Sequence, residues 1–203
     1  MGTHALLMSF AANPQEPATM ALAGVLAAAF DRHGRRLLPM PGMDASATRR
    51  LLDRWFPGAD VALGLDWALL ANACRHEPRQ GEIDDLAQLL REHANDGGGG
   101  ANCCSAEETS AIAHALACAS LGDNHLWQDL YLPSRRELSA LIAHWFPRLA
   151  ALNTNDMKWK KFFYRQLCLR EEVLICKAPS CGVCADYAQC FGSEEAAHAI
   201  APP

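Results

Sequence analysis

An all-α fold, a compact multi-helix domain with a C-terminal cysteine-rich metal-binding loop, is what this sequence predicts. Three observations point there. No segment shows the long apolar–polar alternation that a sheet requires. Apolar residues recur instead at helical spacing behind residues able to cap a helix, as in Ser105 with Glu108 and Ser134 with Glu137. Near the C-terminus four cysteines lie as Cys176-x4-Cys181-x2-Cys184-x5-Cys190, a density of thiols that packing alone does not call for.

The elements follow in order. Residues 1–16 read as an irregular N-terminal leader. The N-terminal helical part covers residues 17–94: Pro17 suits a first helical position and opens a helix running through Phe30. Asp44 or Ser46 caps a helix over Thr48–Phe56 that stops at Pro57-Gly58. Val61–Cys74 is apolar on most sides and free of proline, and reads as one buried helix. Gly81–His93 places Ile83, Leu86, Leu89 and Leu90 on one side, with acids early and Arg91 and His93 late.

Residues 95–104 form a linker around Gly97–Gly100, costly to order. No Gly-Lys-Ser/Thr follows, which argues against a phosphate-binding loop. A second helical part of the same domain spans 105–175. It contains the two capping boxes, a short aromatic and polar segment at Leu121–Tyr131, and a last long helix over Asn155–Cys168. The cysteine loop occupies 176–190, and 191–203 is a plain tail.

The chain has 203 residues, half of them hydrophobic, and a formal net charge of -5. That supports a packed core and argues against broad nucleic-acid binding. The apolar runs are too short to span a bilayer and no signal peptide is evident, so the expected location is cytoplasmic, with no membrane partner. Nine cysteines is an odd number, and a reducing compartment disfavours disulfides. The clustered thiols therefore read as metal ligands.

Cys176, Cys181, Cys184 and Cys190 are the metal and cofactor ligands expected from spacing. Four thiolates satisfy tetrahedral zinc, yet only one Cys-x2-Cys pair occurs, compressed with the others into one short loop. Spacing alone leaves zinc and an iron–sulfur cluster both open. Auxiliary candidates surround them. Lys158, Lys160, Lys161, Arg165, Arg170 and Lys177 are cations able to keep thiolates ionised or to attract an oxyanion, or else form the solvated face of the last helix. Cys168 reads first as a small core residue and second as a fifth thiolate. His125 is a candidate ligand or hydrogen-bond donor to cluster sulfur; the plainer reading is a helix-start packing motif capped by Asp123 or Asn124. No Ser–His–Asp set, paired carboxylates or His-Glu-x-x-His is identifiable by spacing, so no catalytic residue is assigned.

The stretch Met157-Lys158-Trp159-Lys160-Lys161-Phe162-Phe163-Tyr164-Arg165-Gln166-Leu167-Cys168, followed by the four-cysteine pattern, resembles the nitrogen-fixation family NifQ. Gly122–Leu130 and Arg136-Glu137-Leu138-Ser139 are similar to it too. The strong resemblance covers roughly residues 120–191. One departure is Tyr131, where the family pattern leads us to expect glycine. The resemblance implies a metallochaperone, not a catalyst, that contributes molybdenum to nitrogenase iron–molybdenum cofactor assembly. It implies a [3Fe-4S] or [4Fe-4S] iron–sulfur cluster associated with molybdenum on the four cysteines. The partners implied are the NifEN scaffold and NifH. The competing classes are an iron–sulfur electron-transfer or reductase protein and a zinc-stabilised interaction protein.

Overall fold

The computed structural model describes residues 1–73, 76–95, 105–172 and 187–194. Every regular element among them is a helix, so the all-α expectation holds. The order is α1 Thr3–Ser9, α2 Pro17–His33, α3 Ala45–Trp55, α4 Ala59–Leu63, α5 Trp67–Ala71, α6 Gln80–Glu92, α7 Ala106–Ser120, α8 Leu126–Asp129, α9 Arg135–Trp145, α10 Pro147–Leu152, α11 Trp159–Arg170 and α12 Tyr187–Phe191.

The centre is built from α2 and α7. Both are rich in alanine and buried on nearly every side: Ala18, Ala21, Ala23 and Ala27 on α2, and Ala111, Ala113, Ala115 and Ala117 on α7. Small side chains let neighbouring backbones approach closely, and Leu22, Leu26, Ile112 and Leu116 fill what remains. Gly24 of α2 marks a close backbone approach. A Cβ there would lie 2.9 Å from the Leu130 carbonyl oxygen just beyond α8. Around this centre, α6 packs against α7, α9 crosses α2, and α11 lies on α6. Trp159, Phe162 and Phe163 of α11 form an aromatic cluster with ring centroids 5.7–6.5 Å apart.

Local chemistry sets the helix ends. Asp44 accepts from Ala47 N at 2.7 Å and starts α3. Ser105 and Glu108 close the predicted capping box of α7. Ser134 caps α9 by accepting from Arg136 N, one residue short of the reciprocal box expected there. Pro147 opens α10 at its first position, where its missing N–H costs nothing.

Three expectations need correction. The leader is not irregular throughout: α1 docks on α2 and buries Leu7 completely. The single helix expected over Val61–Cys74 is two short ones. Gly64 adopts φ 67°, ending α4, and Asp66 caps α5 by accepting from Ala68 N and Leu69 N. Val61 is left 81% exposed, so that segment is no buried core helix. The tail does not begin at 191: Phe191 belongs to α12 and packs against the core, while Glu194 is buried. The glycine run of the 95–104 linker lies outside the described residues, as do Cys74, Cys103 and Cys104. Asn95, at the linker's start, donates its N–H to Trp145 O.

No helix among the described residues is long and apolar enough to cross a membrane.

Candidate metal centre

Cys176, Cys181, Cys184 and Lys177 lie outside the described residues; Cys190 does not. It is half-buried on α12 and packs against the core. Its carbonyl accepts from Lys158 N at 2.8 Å, and the Lys158 ammonium donates to Ala188 O at 3.3 Å. The chain therefore leaves the C-terminal end of α11 before the cysteine segment and is fixed again beside the N-terminal end of α11 after it. Cys168 sits ten residues beyond Lys158, roughly 15 Å along the helix axis. The structure does not bring Cys168 and Cys190 together. Cys168 is half-buried but is not among the residues packed on the core, so its reading as a core cysteine is not supported.

Polar ties hold this end of the molecule. Glu194 follows α12 with its side chain 5% exposed, and its Oε1 lies 3.3 Å from Arg135 Nη1 and 3.8 Å from His125 Nδ1. Arg135 also donates through Nη2 to Asp156 Oδ1 at 2.7 Å and to the carbonyls of Asp156 and Met157. The turn it grips is braced by Asn153, which accepts from Met157 N and donates to Met157 O, both at 2.9 Å. Arg135 thus joins the start of α9, the approach to α11 and the far side of α12.

A second tie lies beside it. The Lys160 ammonium donates to Asp129 Oδ2 at 2.6 Å and to Gly122 O at 2.7 Å. Asn124 donates to the other Asp129 oxygen at 2.9 Å. A Cβ on Gly122 would lie 2.4 Å from Asp129 Oδ2, so any side chain there would have to push the carboxylate away from its tie to Lys160. His125, and not Asp123 or Asn124, occupies the N-cap position of α8, and its N–H donates to Gln128 Oε1.

The auxiliary cations therefore divide. Lys160 is committed to Asp129, Arg170 to Glu92 at 3.4 Å and Lys158 to α12. Lys161 and Arg165 are exposed, share one face of α11 with Cys168, and make no ion pair among the described residues. Among the described residues no three His, Cys, Asp or Glu side chains are grouped to hold a metal ion.

On its other side α11 is tied to α6. The Tyr164 hydroxyl donates to Glu82 Oε1, and Arg79 donates to both Glu82 oxygens at 2.7 Å and to Leu121 O. Arg79 holds the Glu82 carboxyl below its ordinary value, while burial and then Glu82 push the Tyr164 hydroxyl up.

Tyr131 closes this region. Its φ is 56°, the left-handed region that glycine enters without cost, which is the physical reason to expect glycine there. The tyrosine ring stacks on His4 of α1 at 4.9 Å and lies over Gly24, contacts that offset the strain.

Sequence reasoning missed Glu194, Arg135 and Asp156. One signal was available. Arg135 stands at the first position of α9, where the helix dipole disfavours a cation, so an acidic partner from elsewhere was to be expected.

A family model described as NifQ matches residues 21–192, which takes in all four cysteines. The chain is 36% identical over 170 residues to Protein NifQ of Azotobacter vinelandii, across 80% of this chain and 83% of that protein. It is 48% identical over 87 residues to Protein NifQ of Rhodobacter capsulatus, and 46% identical over 86 residues to that of Klebsiella pneumoniae. Those two alignments cover 43% and 42% of this chain, and 48% and 52% of the respective relatives. No solved structure matches the chain.

Proposed function

The chain belongs to the NifQ family, and from that premise we propose that it is a molybdenum–iron–sulfur carrier supplying molybdenum for nitrogenase iron–molybdenum cofactor assembly. Membership supports a role in molybdenum-related cofactor biosynthesis in general. The observation that carries the finer reading is the family match across all four cysteines of a short segment whose last member, Cys190, is anchored to the helical body.

The donor set suits this cargo. Thiolates are soft ligands that hold iron–sulfur clusters and keep molybdenum in a sulfur environment, where a hard oxyanion would not stay. Cys176, Cys181, Cys184 and Cys190 would hold it. The helical body contributes position: Lys158 fixes the α12 backbone, and the Lys160–Asp129 tie fixes the α8 turn against α11. A carrier must also release what it holds, and Cys190 is half-buried, not sealed in the core. The NifEN scaffold and NifH are the proposed recipients, and the work is transfer, without turnover of a substrate.

The test is metal and labile-sulfide content after strictly anaerobic purification from molybdate-supplied cells, with electron paramagnetic resonance. Iron, sulfide and molybdenum retained together, and lost together in Cys181→Ala, is the expected result. Zinc alone, or normal iron and molybdenum in Cys181→Ala, would overturn it. Iron and sulfide with reversible one-electron reduction and no stable molybdenum would transfer the assignment to electron transfer.

A further inference from the structure

We infer that Glu194 and Arg135 are positioning residues for the metal-carrying segment: their ion pair clamps the far side of α12 and so holds Cys190 in place. The inference rests on the carrier reading for what Cys190 binds, but not for the clamp itself.

Four observations converge. Glu194 is four residues past Cys190, one helical turn's length of chain, and its carboxylate is 5% exposed. A carboxylate so far removed from water needs a partner, because its desolvation is otherwise uncompensated. Arg135 is that partner at 3.3 Å, with His125 Nδ1 at 3.8 Å on the same oxygen. Arg135 is itself immobilised by Asp156 and two carbonyls, so the anchor is rigid and does not swing with α12.

α12 has other restraints, none of them through a fully buried side chain of the helix itself. It is a five-residue helix with no buried side chain of its own, and helices that short are not stable alone. Lys158 holds it through backbone oxygens at one side, Cys190 and Phe191 pack half-buried against the core, and Phe191 stacks on Tyr187 at 4.5 Å. Glu194 provides the deeply buried attachment. Cys190 is the cysteine nearest Glu194 in the chain, so the attachment of this thiolate to the helical body runs through α12 and Glu194. Glu194 also lies two residues beyond the stretch that the family model matches, whereas Arg135 and His125 lie inside it.

The experiment uses the full chain, both metal-free and anaerobically loaded. Iodoacetamide alkylation is followed by mass spectrometry at Cys190, with Cys118 of α7, also half-buried, as the internal control. Glu194→Ala is expected to raise the Cys190 rate at least about ten-fold and leave Cys118 unchanged, because local opening of α12 controls access. Arg135→Met should do the same, and the double variant should add little, since both act on one tie. In loaded protein, the same variants should lose iron and sulfide faster to a chelator.

An unchanged Cys190 rate in both single variants overturns the clamp. A raised rate with unchanged cluster loss overturns its positioning role. If Glu194→Ala exposes Cys118 equally, the fold has opened, and Glu194→Gln, which keeps an acceptor oxygen for Arg135, decides by the same ratio. Wild-type protein that holds no iron overturns the carrier reading, while the metal-free alkylation still decides the clamp.

Discussion

The α2–α7 centre and the α8–α9–α11–α12 end share one apolar core but differ in the polar ties added to it. In the centre, alanines, leucines and one critical glycine are removed from water, with few polar side chains among them. At the other end, α9 and α11 also bury apolar side chains, among them Ile142, Phe162 and Phe163, but Arg135, Glu194, Lys160, Asp129 and Asn124 add directional bonds that tie α8, α9, α11 and α12 together. Apolar packing is non-directional and tolerates no gap, so it suits a body that must not move. Ion pairs and hydrogen bonds act at fixed points and can open one at a time, which would suit the proposed carrier, whose task is to hold cargo and give it up. The cysteine segment is attached to the second kind of structure.

The sharpest way to break that comparison is to damage the centre and watch the other end. Leu26 is fully buried on α2. Leu26→Ala should cost about 2–5 kcal/mol of unfolding free energy, measured by denaturant titration, while Cys190 alkylation of the still-folded protein stays at the wild-type rate. A Cys190 rate that rises in step with lost stability would show the two regions to be one cooperative unit.

A smaller effect is expected from the polar end. Lys160→Met leaves Asp129, 14% exposed, with the Asn124 amide still donating to it, and frees Gly122 O. The cost should be about 2 kcal/mol, below that of breaking a fully buried pair because both groups keep some water. Amide exchange should rise at α8 and at the start of α11 and not in α2 or α7. Exchange raised evenly across the bundle would remove the distinction.

How much of this was legible in the sequence follows the same division. The apolar centre was: Pro17, Asp44, Ser105 with Glu108, and the spacing of Ile83, Leu86, Leu89 and Leu90 are local signals, and the structure follows them. α1 was missed because seven residues without a side-chain cap carry little intrinsic helical signal; burial of Leu7 against α2 stabilises it from outside. Val61–Cys74 misled because apolar content hid Gly64, whose left-handed backbone divides it. The ties at the site were not legible. Arg135 to Glu194 spans 59 residues and Lys160 to Asp129 spans 31, and no local pattern records such pairings. Lys160 consequently read as one more cation for an oxyanion, when its charge is already spent on Asp129. The four-cysteine spacing was plain, yet spacing alone kept zinc and iron–sulfur equal, since both take thiolates in this number.

The smallest effect belongs to the seam where the two regions meet. Glu82 of α6 accepts from Arg79 and from the Tyr164 hydroxyl of α11, and its carboxyl is held below the ordinary 4.5, first by the Arg79 bond. A carboxyl whose folded value is depressed favours the folded state above its unfolded value, and that contribution disappears as pH falls through the folded one. Tyr164 is shifted the other way, above its ordinary 10.0, by burial and then by Glu82, so it remains a donor well into the alkaline range. Glu82→Gln keeps the shape but drops the charge, and should lower stability by about 1 kcal/mol near neutral pH, since Glu82 keeps partial contact with water. Wild type and variant should therefore differ at neutral pH, keep that difference as pH rises, and converge in acid below the ordinary carboxylate range. Glu108 and Glu137 are depressed too, so both proteins weaken in acid; the difference between the two isolates Glu82. A gap that persists undiminished in acid would mean that Glu82 joins α6 to α11 by shape and not by charge, and the seam would then belong with the apolar centre.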